Sequence, residues 1–300
     1  MIEASHINKR FGTFEVLSDI SFQVPEGEIY GLIGYNGVGK TTLLKILSGI
    51  YQPDGGTVRI AGQAIYENPE IKRQCFFMTE EATFFSQSSL KQMRKFYKGY
   101  YPEWQDSTFE RLVEWFGVNP SMKISQFSKG MQRQAGLILA FSTRARYLFL
   151  DEAFDGLDYT MRKQMQDMIM YYARSRKATL LVSSHNLREL EDLADYIGML
   201  SDGKLVFNDS TKQMQEHYQT CRFLLPEEID PFTFEKKLSA ELVEKETRGY
   251  LCIIKASKEE AEQRLVQLGA KEIQIRPVHL EEFFRKERKV QNVDWKEIFQ

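Results

Sequence analysis

From residue 1 to about 215, short apolar runs alternate with segments whose apolar side chains recur every three to four positions. The runs at 146–150 (Arg-Tyr-Leu-Phe-Leu) and 178–182 (Ala-Thr-Leu-Leu-Val) are continuous rather than alternating, as expected of strands covered on both faces. Between them, Met161, Met165, Met168, Ile169 and Tyr172 fall at helical spacing, which predicts a helix whose methionine-rich stripe packs on the sheet. With glycines at the joints, this alternation predicts an α/β domain with a largely parallel sheet.

Two regions break the pattern. Residues 84–127 are rich in Phe, Tyr and Trp and contain no convincing strand, so they read as a helical insert. Beyond about residue 218 the periodicity predicts a strand (221–225), a helix (232–240), a hairpin (242–245 and 250–255), a helix (258–268) and a strand (272–276). Ser257-Lys-Glu-Glu260 supplies a capping box for the second helix. The order βαββαβ predicts a small α+β ferredoxin-like unit over 219–300, with a last helix near 280–289.

Composition narrows the class. With 42% hydrophobic and 27% charged residues, 300 residues suit a large globular domain plus a small one. The net charge of −2 gives no hint of nucleic acid. No apolar run approaches the ~20 residues of a bilayer-spanning helix, and the first residues lack the basic start and apolar core of a signal peptide, so a cytoplasmic chain is expected. Cys75, Cys221 and Cys252 form neither an even disulfide set nor a CxxC knuckle and are expected to be reduced.

The chemistry starts at Gly34-Tyr35-Asn36-Gly37-Val38-Gly39-Lys40-Thr41, set between a strand-like and a helix-like segment. This is the Walker A spacing in its required context. Its glycines let backbone N–H groups converge on an anion, and the following helix adds the positive end of its dipole. Lys40 is then placed to reach the β- and γ-phosphates, and the Thr41 hydroxyl to ligate Mg²⁺. Tyr147-Leu-Phe-Leu150 runs into Asp151 and Glu152, a Walker B strand in which Asp151 holds Mg²⁺ and Glu152 accepts a proton from the attacking water. His185 ends the next apolar strand, at the same sheet edge, where it is placed to bond a γ-phosphate oxygen. Ser128 is the natural N-cap of a further helix, Gln132 to Phe141, whose N-terminus offers a second phosphate site.

Taken in order, GYNGVGKTT, FSKGMQRQ, YLFLDEAFDGLD and SSH resemble the ATP-binding cassette (ABC) ATPases, with Walker A, signature, Walker B, D-loop and switch histidine. The resemblance covers residues 1 to about 215 and implies a P-loop NTPase fold with a mixed sheet, an antiparallel β subdomain and a helical insert. It implies that two cassettes meet head to tail, as a homodimer, each presenting Ser128 and Gly130 to the ATP on its partner's Lys40. By matching position it assigns Phe11 to adenine stacking, Thr42 to the second Walker A hydroxyl and Asp158 to the D-loop. The absence of an NKxD motif, since Asn8-Lys9 leads into Arg10-Phe11, favours ATP over GTP.

Some positions depart from the family pattern. Lys129 and Met131 replace a glycine and the glutamine of the signature, Ala153-Phe154 replace Pro-Thr, and Glu80 stands where a glutamine near the metal is usual. The resemblance further implies an ATPase subunit at the cytoplasmic face of the membrane, driving a separate permease. Single-cassette exporters of drugs, bacteriocins or lantibiotics match best. The aromatic insert is where such a permease docks, which nominates Phe85, Phe96, Tyr97, Tyr100, Tyr101 and Trp104. A soluble ABC ATPase acting on ribosomes, or a regulatory one, is the alternative.

Overall fold

The computed structural model describes residues 1–79, 84–85, 87–225, 238 and 240–284. Glu80, most of the helix expected over 232–240 and the second half of that expected over 280–289 lie outside them. The chain divides into two compact units, Met1–Ser210 and Thr211–Gln300. The division falls before the short helix Thr211–His217 rather than after residue 218, because that helix packs on the first strand of the second unit.

The first unit holds two sheets. Strands β1 (Ile2–Phe11), β2 (Phe14–Val24), β4 (Gly55–Ile60) and β5 (Gln63–Ala64) form an antiparallel sheet in the order β2-β1-β4-β5. The larger sheet runs β10-β9-β3-β8-β7-β6, using β3 (Ile29–Ile33), β6 (Cys75–Met78), β7 (Tyr147–Leu150), β8 (Thr179–Ser184), β9 (Tyr196–Ser201) and β10 (Lys204–Ser210). All of its pairings are parallel except β10 with β9. Every residue of β3, β7 and β8 is buried, as their unbroken apolar runs require of strands covered on both sides.

Helix α1 (Lys40–Leu47) follows β3 and buries Leu43, Leu44, Ile46 and Leu47 in the core between the sheets, each contributing about 1.5–3 kcal/mol by removal from water. After the one-turn α2 (Pro69–Lys72), the insert supplies α3 (Leu90–Tyr100) and α4 (Asp106–Phe116), and both pack on α5 (Lys129–Ser142). Helix α5 is buried almost continuously from Ala135 to Ser142. Gly136 lets it approach β6, since a Cβ there would lie 2.9 Å from Met78 Sδ. Helix α6 (Tyr159–Arg176) faces the core with Met165, Ile169 and Tyr172 buried, while Met161 and Met168 flank this stripe half-exposed.

In the second unit, β11 (Tyr218–Leu224), β12 (Ala240–Lys245), β13 (Tyr250–Lys255) and β14 (Lys271–Pro277) pair antiparallel in the order β12-β13-β11-β14. The helix Lys258–Gln267 packs on this sheet, its N-cap Ser257 accepting the Glu260 N–H at 3.2 Å. The order places the last strand beside the first. Cys75, Cys221 and Cys252 are free and buried, and burial pushes the Cys75 thiol up to about 12. Among the described residues no helix is long and apolar enough to cross a membrane.

Candidate active site

Parallel pairing brings the motif residues together. Register sets Ile33 opposite Ser184, and Leu150 opposite Val182, so Gly34, Asp151 and His185 leave three neighbouring strands at one edge of the sheet. Ligands of open α/β sheets bind beyond that carboxyl edge.

The loop 34–39 wraps the N-terminus of α1, and no side chain caps that helix, which leaves the first-turn N–H groups to an outside acceptor. Gly39 sits at φ +110°, a conformation that side chains rarely adopt, and a Cβ there would lie about 3.0 Å from Leu17 Cδ2 and 3.1 Å from Val16 Cγ1. A cleft of about 340 Å³ opens above the loop, lined by Phe11, Val16, Tyr35, Asn36, Gly37, Gly39, Lys40, Thr41, Thr42 and Glu152. Phe11 presents a half-exposed ring, steadied edge-on by Tyr51 at 5.9 Å between centroids. Val16 was not foreseen; it sits near the start of β2 with no chemistry of its own to signal it.

Charge at the cleft floor is densely paired. Lys40 is buried, donates to the Gly34 carbonyl at 2.6 Å and the Tyr35 carbonyl at 3.2 Å, and stands 3.1 Å from Glu152 Oε1 as an ion pair. Glu152 Oε2 is hydrogen-bonded to His185 Nδ1 at 2.9 Å. Asp151, fully buried, accepts the Thr41 hydroxyl at 2.6 Å through Oδ2 and the Ser183 hydroxyl at 2.6 Å through Oδ1. The Ser183 Oγ in turn accepts the Glu152 N–H at 3.0 Å. Glu152 has φ +47°, uncommon for a long side chain and a local cost of about 1–3 kcal/mol, and this hydrogen bond is part of what holds it there. Ser183 was quoted in the SSH motif without a role; a serine beside a strand-end histidine carries no signal of its own.

Three sequence candidates lie elsewhere. Ser128 accepts the Met131 N–H at 3.2 Å as the N-cap of α5, and Asp158 accepts the Met161 N–H at 2.9 Å as the N-cap of α6. Gly130 lies against the 155–158 segment, where a Cβ would be 3.2 Å from the Gly156 carbonyl. None of the three lines the Lys40 cleft. Glu80 falls outside the described residues. Tyr101 is no surface aromatic: it is buried, and its hydroxyl donates to the Cys75 carbonyl at 2.8 Å. Phe85, Phe96 and Tyr100 are exposed as expected.

Comparison with known proteins agrees with this geometry. The sequence profile of the ABC transporter family matches residues 17–155. The Bacillus subtilis ABC transporter ATP-binding protein YtrB is 28% identical over 284 residues, 95% of this chain and 97% of that protein. The Enterococcus faecalis bacitracin transport ATP-binding protein BcrA is 31% identical over 213 residues, 69% of this chain and 68% of its own. A solved ATP-binding subunit of an ABC transporter superposes with a TM-score of 0.64 at 25% identity, covering 72% of this chain and 92% of that one. A relative at 31% identity across two thirds of its length, together with the cassette fold and a phosphate loop facing two strand-end acids, establishes that the chain belongs to the ABC transporter family as an ATP-hydrolysing, ATP-binding subunit.

Proposed function

We propose that this chain powers a separate membrane permease from the cytoplasmic face, by closing and reopening a pair of cassettes around ATP. The observation that carries the reading is the connected set Lys40, Thr41, Asp151, Glu152 and His185 at one sheet edge. In the proposed cycle Phe11 stacks on adenine, the N–H groups of residues 34–42 cradle the phosphates, and Lys40 turns from Glu152 to a γ-phosphate oxygen. Glu152, released from that ion pair, accepts the proton of the attacking water while His185 holds its other oxygen and reaches the γ-phosphate. General-base assistance of this kind contributes ~10²–10⁴-fold to a rate.

The Thr41 hydroxyl and the Asp151 carboxylate, 2.6 Å apart, are hard oxygen donors facing one another beside the phosphate loop, a donor set that fits Mg²⁺. When bound, Mg²⁺ neutralises charge on the β- and γ-phosphates. Ser128 and Gly130, remote from their own Lys40, serve the nucleotide of the second copy, with Asp158 alongside. The exposed rings of Phe85, Phe96 and Tyr100, with Phe85 edge-on to Phe96 at 4.7 Å, form the surface for the permease. The bacitracin transport role in BcrA's name favours an exporter of peptide antibiotics or drugs.

The decisive experiment is Glu152→Gln in the purified chain. ATP turnover falls by about 100-fold or more while ATP still binds. Undiminished turnover overturns the catalytic assignment, and recovery of the chain with ribosomes and no membrane protein overturns the transport reading.

A further inference from the structure

His185 is half-exposed, yet the chain on either side of it is fastened to one buried carboxylate outside the cleft. Glu189 lies in the short helix α7 (Leu187–Glu191) and is 6% exposed. Its Oε2 accepts the Ser184 hydroxyl at 2.6 Å, immediately before His185, and its Oε1 accepts Asn186 Nδ2 at 3.4 Å, immediately after. Asn186 itself caps α7 by accepting the Arg188 N–H at 3.2 Å, and its own N–H donates to Ser184 Oγ at 2.9 Å. The His185 backbone is thus bracketed by two residues that share a partner.

That partner is tied to a second element. Arg162, in the first turn of α6, stands 3.2 Å from Glu189 Oε1 through Nη1 and donates through Nη2 to the Leu157 carbonyl at 3.2 Å. Leu157 precedes Asp158 in the segment joining β7 to α6. Gln166, one turn along, donates to the Glu189 carbonyl at 2.7 Å. A buried carboxylate without its cation carries an uncompensated charge, so separating Glu189 from Arg162 is costly. Arg162 Nε is buried with no hydrogen-bond partner among the described residues. One donor of the guanidinium is therefore not committed to the present arrangement.

We propose that Glu189 is a positioning residue for ATP hydrolysis, which with Arg162 holds His185 against Glu152 and ties that position to the 155–158 segment. This rests on the catalytic reading of Glu152 and His185 above. Glu189 touches no reacting atom; it fixes where the histidine stands. The 155–158 segment lies against Gly130, which faces a second copy in the proposed pairing. A shift of that segment when two copies meet would reach His185 through Leu157, Arg162 and Glu189. Breaking the connection would then lower turnover while leaving every group that contacts the nucleotide in place.

The test compares purified full-length Glu189→Gln, Arg162→Gln and Ser184→Ala with Glu152→Gln and the parent, measuring melting temperature, ATP affinity and steady-state kinetics. The proposal expects kcat to fall about 10-fold in Glu189→Gln and in Arg162→Gln, and less in Ser184→Ala, with KM and ATP affinity within twofold of the parent. It expects the Arg162→Gln/Glu189→Gln double variant to lose no more than either single one, because both break one connection. Parental kcat in Glu189→Gln beside an inactive Glu152→Gln overturns the positioning role alone. A parallel loss of kcat and ATP affinity overturns it too, as a structural role would produce that. If Glu189→Gln does not fold, Ser184→Ala and Arg162→Gln decide, and parental kcat in both overturns the proposal. Undiminished turnover in Glu152→Gln refutes instead the reading on which it rests.

Discussion

At the scale of single residues, the site depends on side chains that hold other side chains. Ser183 joins Asp151 to the Glu152 backbone, and its removal leaves a fully buried carboxylate and a buried N–H each short of one hydrogen bond. Such losses cost about 1–3 kcal/mol apiece. Ser183→Ala is therefore expected to lower the melting temperature and cut turnover together, which a thermal melt and an ATPase assay on one preparation will show. The motif residues themselves were legible, because a phosphate loop and a strand-end acid pair need particular residue types at fixed spacing. Ser183 and Glu189 were not, since a serine and a glutamate acquire meaning only from what folds against them.

At the scale of elements, the helical insert is joined by Asp106. This residue begins α4 and accepts Arg94 at 2.9 Å and Lys98 at 2.6 Å from α3, and the Trp104 indole N–H at 2.8 Å. These donors, Lys98 foremost, hold its carboxyl well below the usual carboxylate range. A carboxyl lowered in the folded state stabilises above its unfolded pKa, and that contribution disappears as pH falls below about 4. Asp106→Asn should flatten the acid limb of the stability curve between about pH 4 and pH 2 while leaving its neutral shape unchanged, as melts across pH 2 to 7 will test. Tyr101 shows where pattern fails at this scale. An aromatic run at the end of a helix does not say which rings face inward until the neighbouring strand supplies a carbonyl, here that of Cys75.

For the whole molecule, one copy carries its phosphate loop and its signature helix apart, since Ser128 and Gly130 do not line the Lys40 cleft. In the proposed assembly ATP bridges two copies. A Glu152→Gln chain loaded with ATP should accordingly elute at twice the mass of the single chain. Gly130→Asp should return it to the single mass, because a Cβ there already presses the Gly156 carbonyl and an added carboxylate would repel the triphosphate. A single-mass peak for the ATP-loaded Glu152→Gln chain would sink the pairing.

Periodicity, spacing and residue chemistry determined the α/β class and the cassette motifs, because each is written in residue types at fixed spacing or in the alternation of apolar and polar positions. Tertiary structure alone decided which groups meet. It closed Lys40 onto Glu152 and Glu152 onto His185, drew Tyr101 into the core, and set the Arg162 to Glu189 connection behind the histidine. These partners come from different strands and helices tens of residues apart, and only the register of the parallel sheet and the packing of α6 on it fix the distances between them.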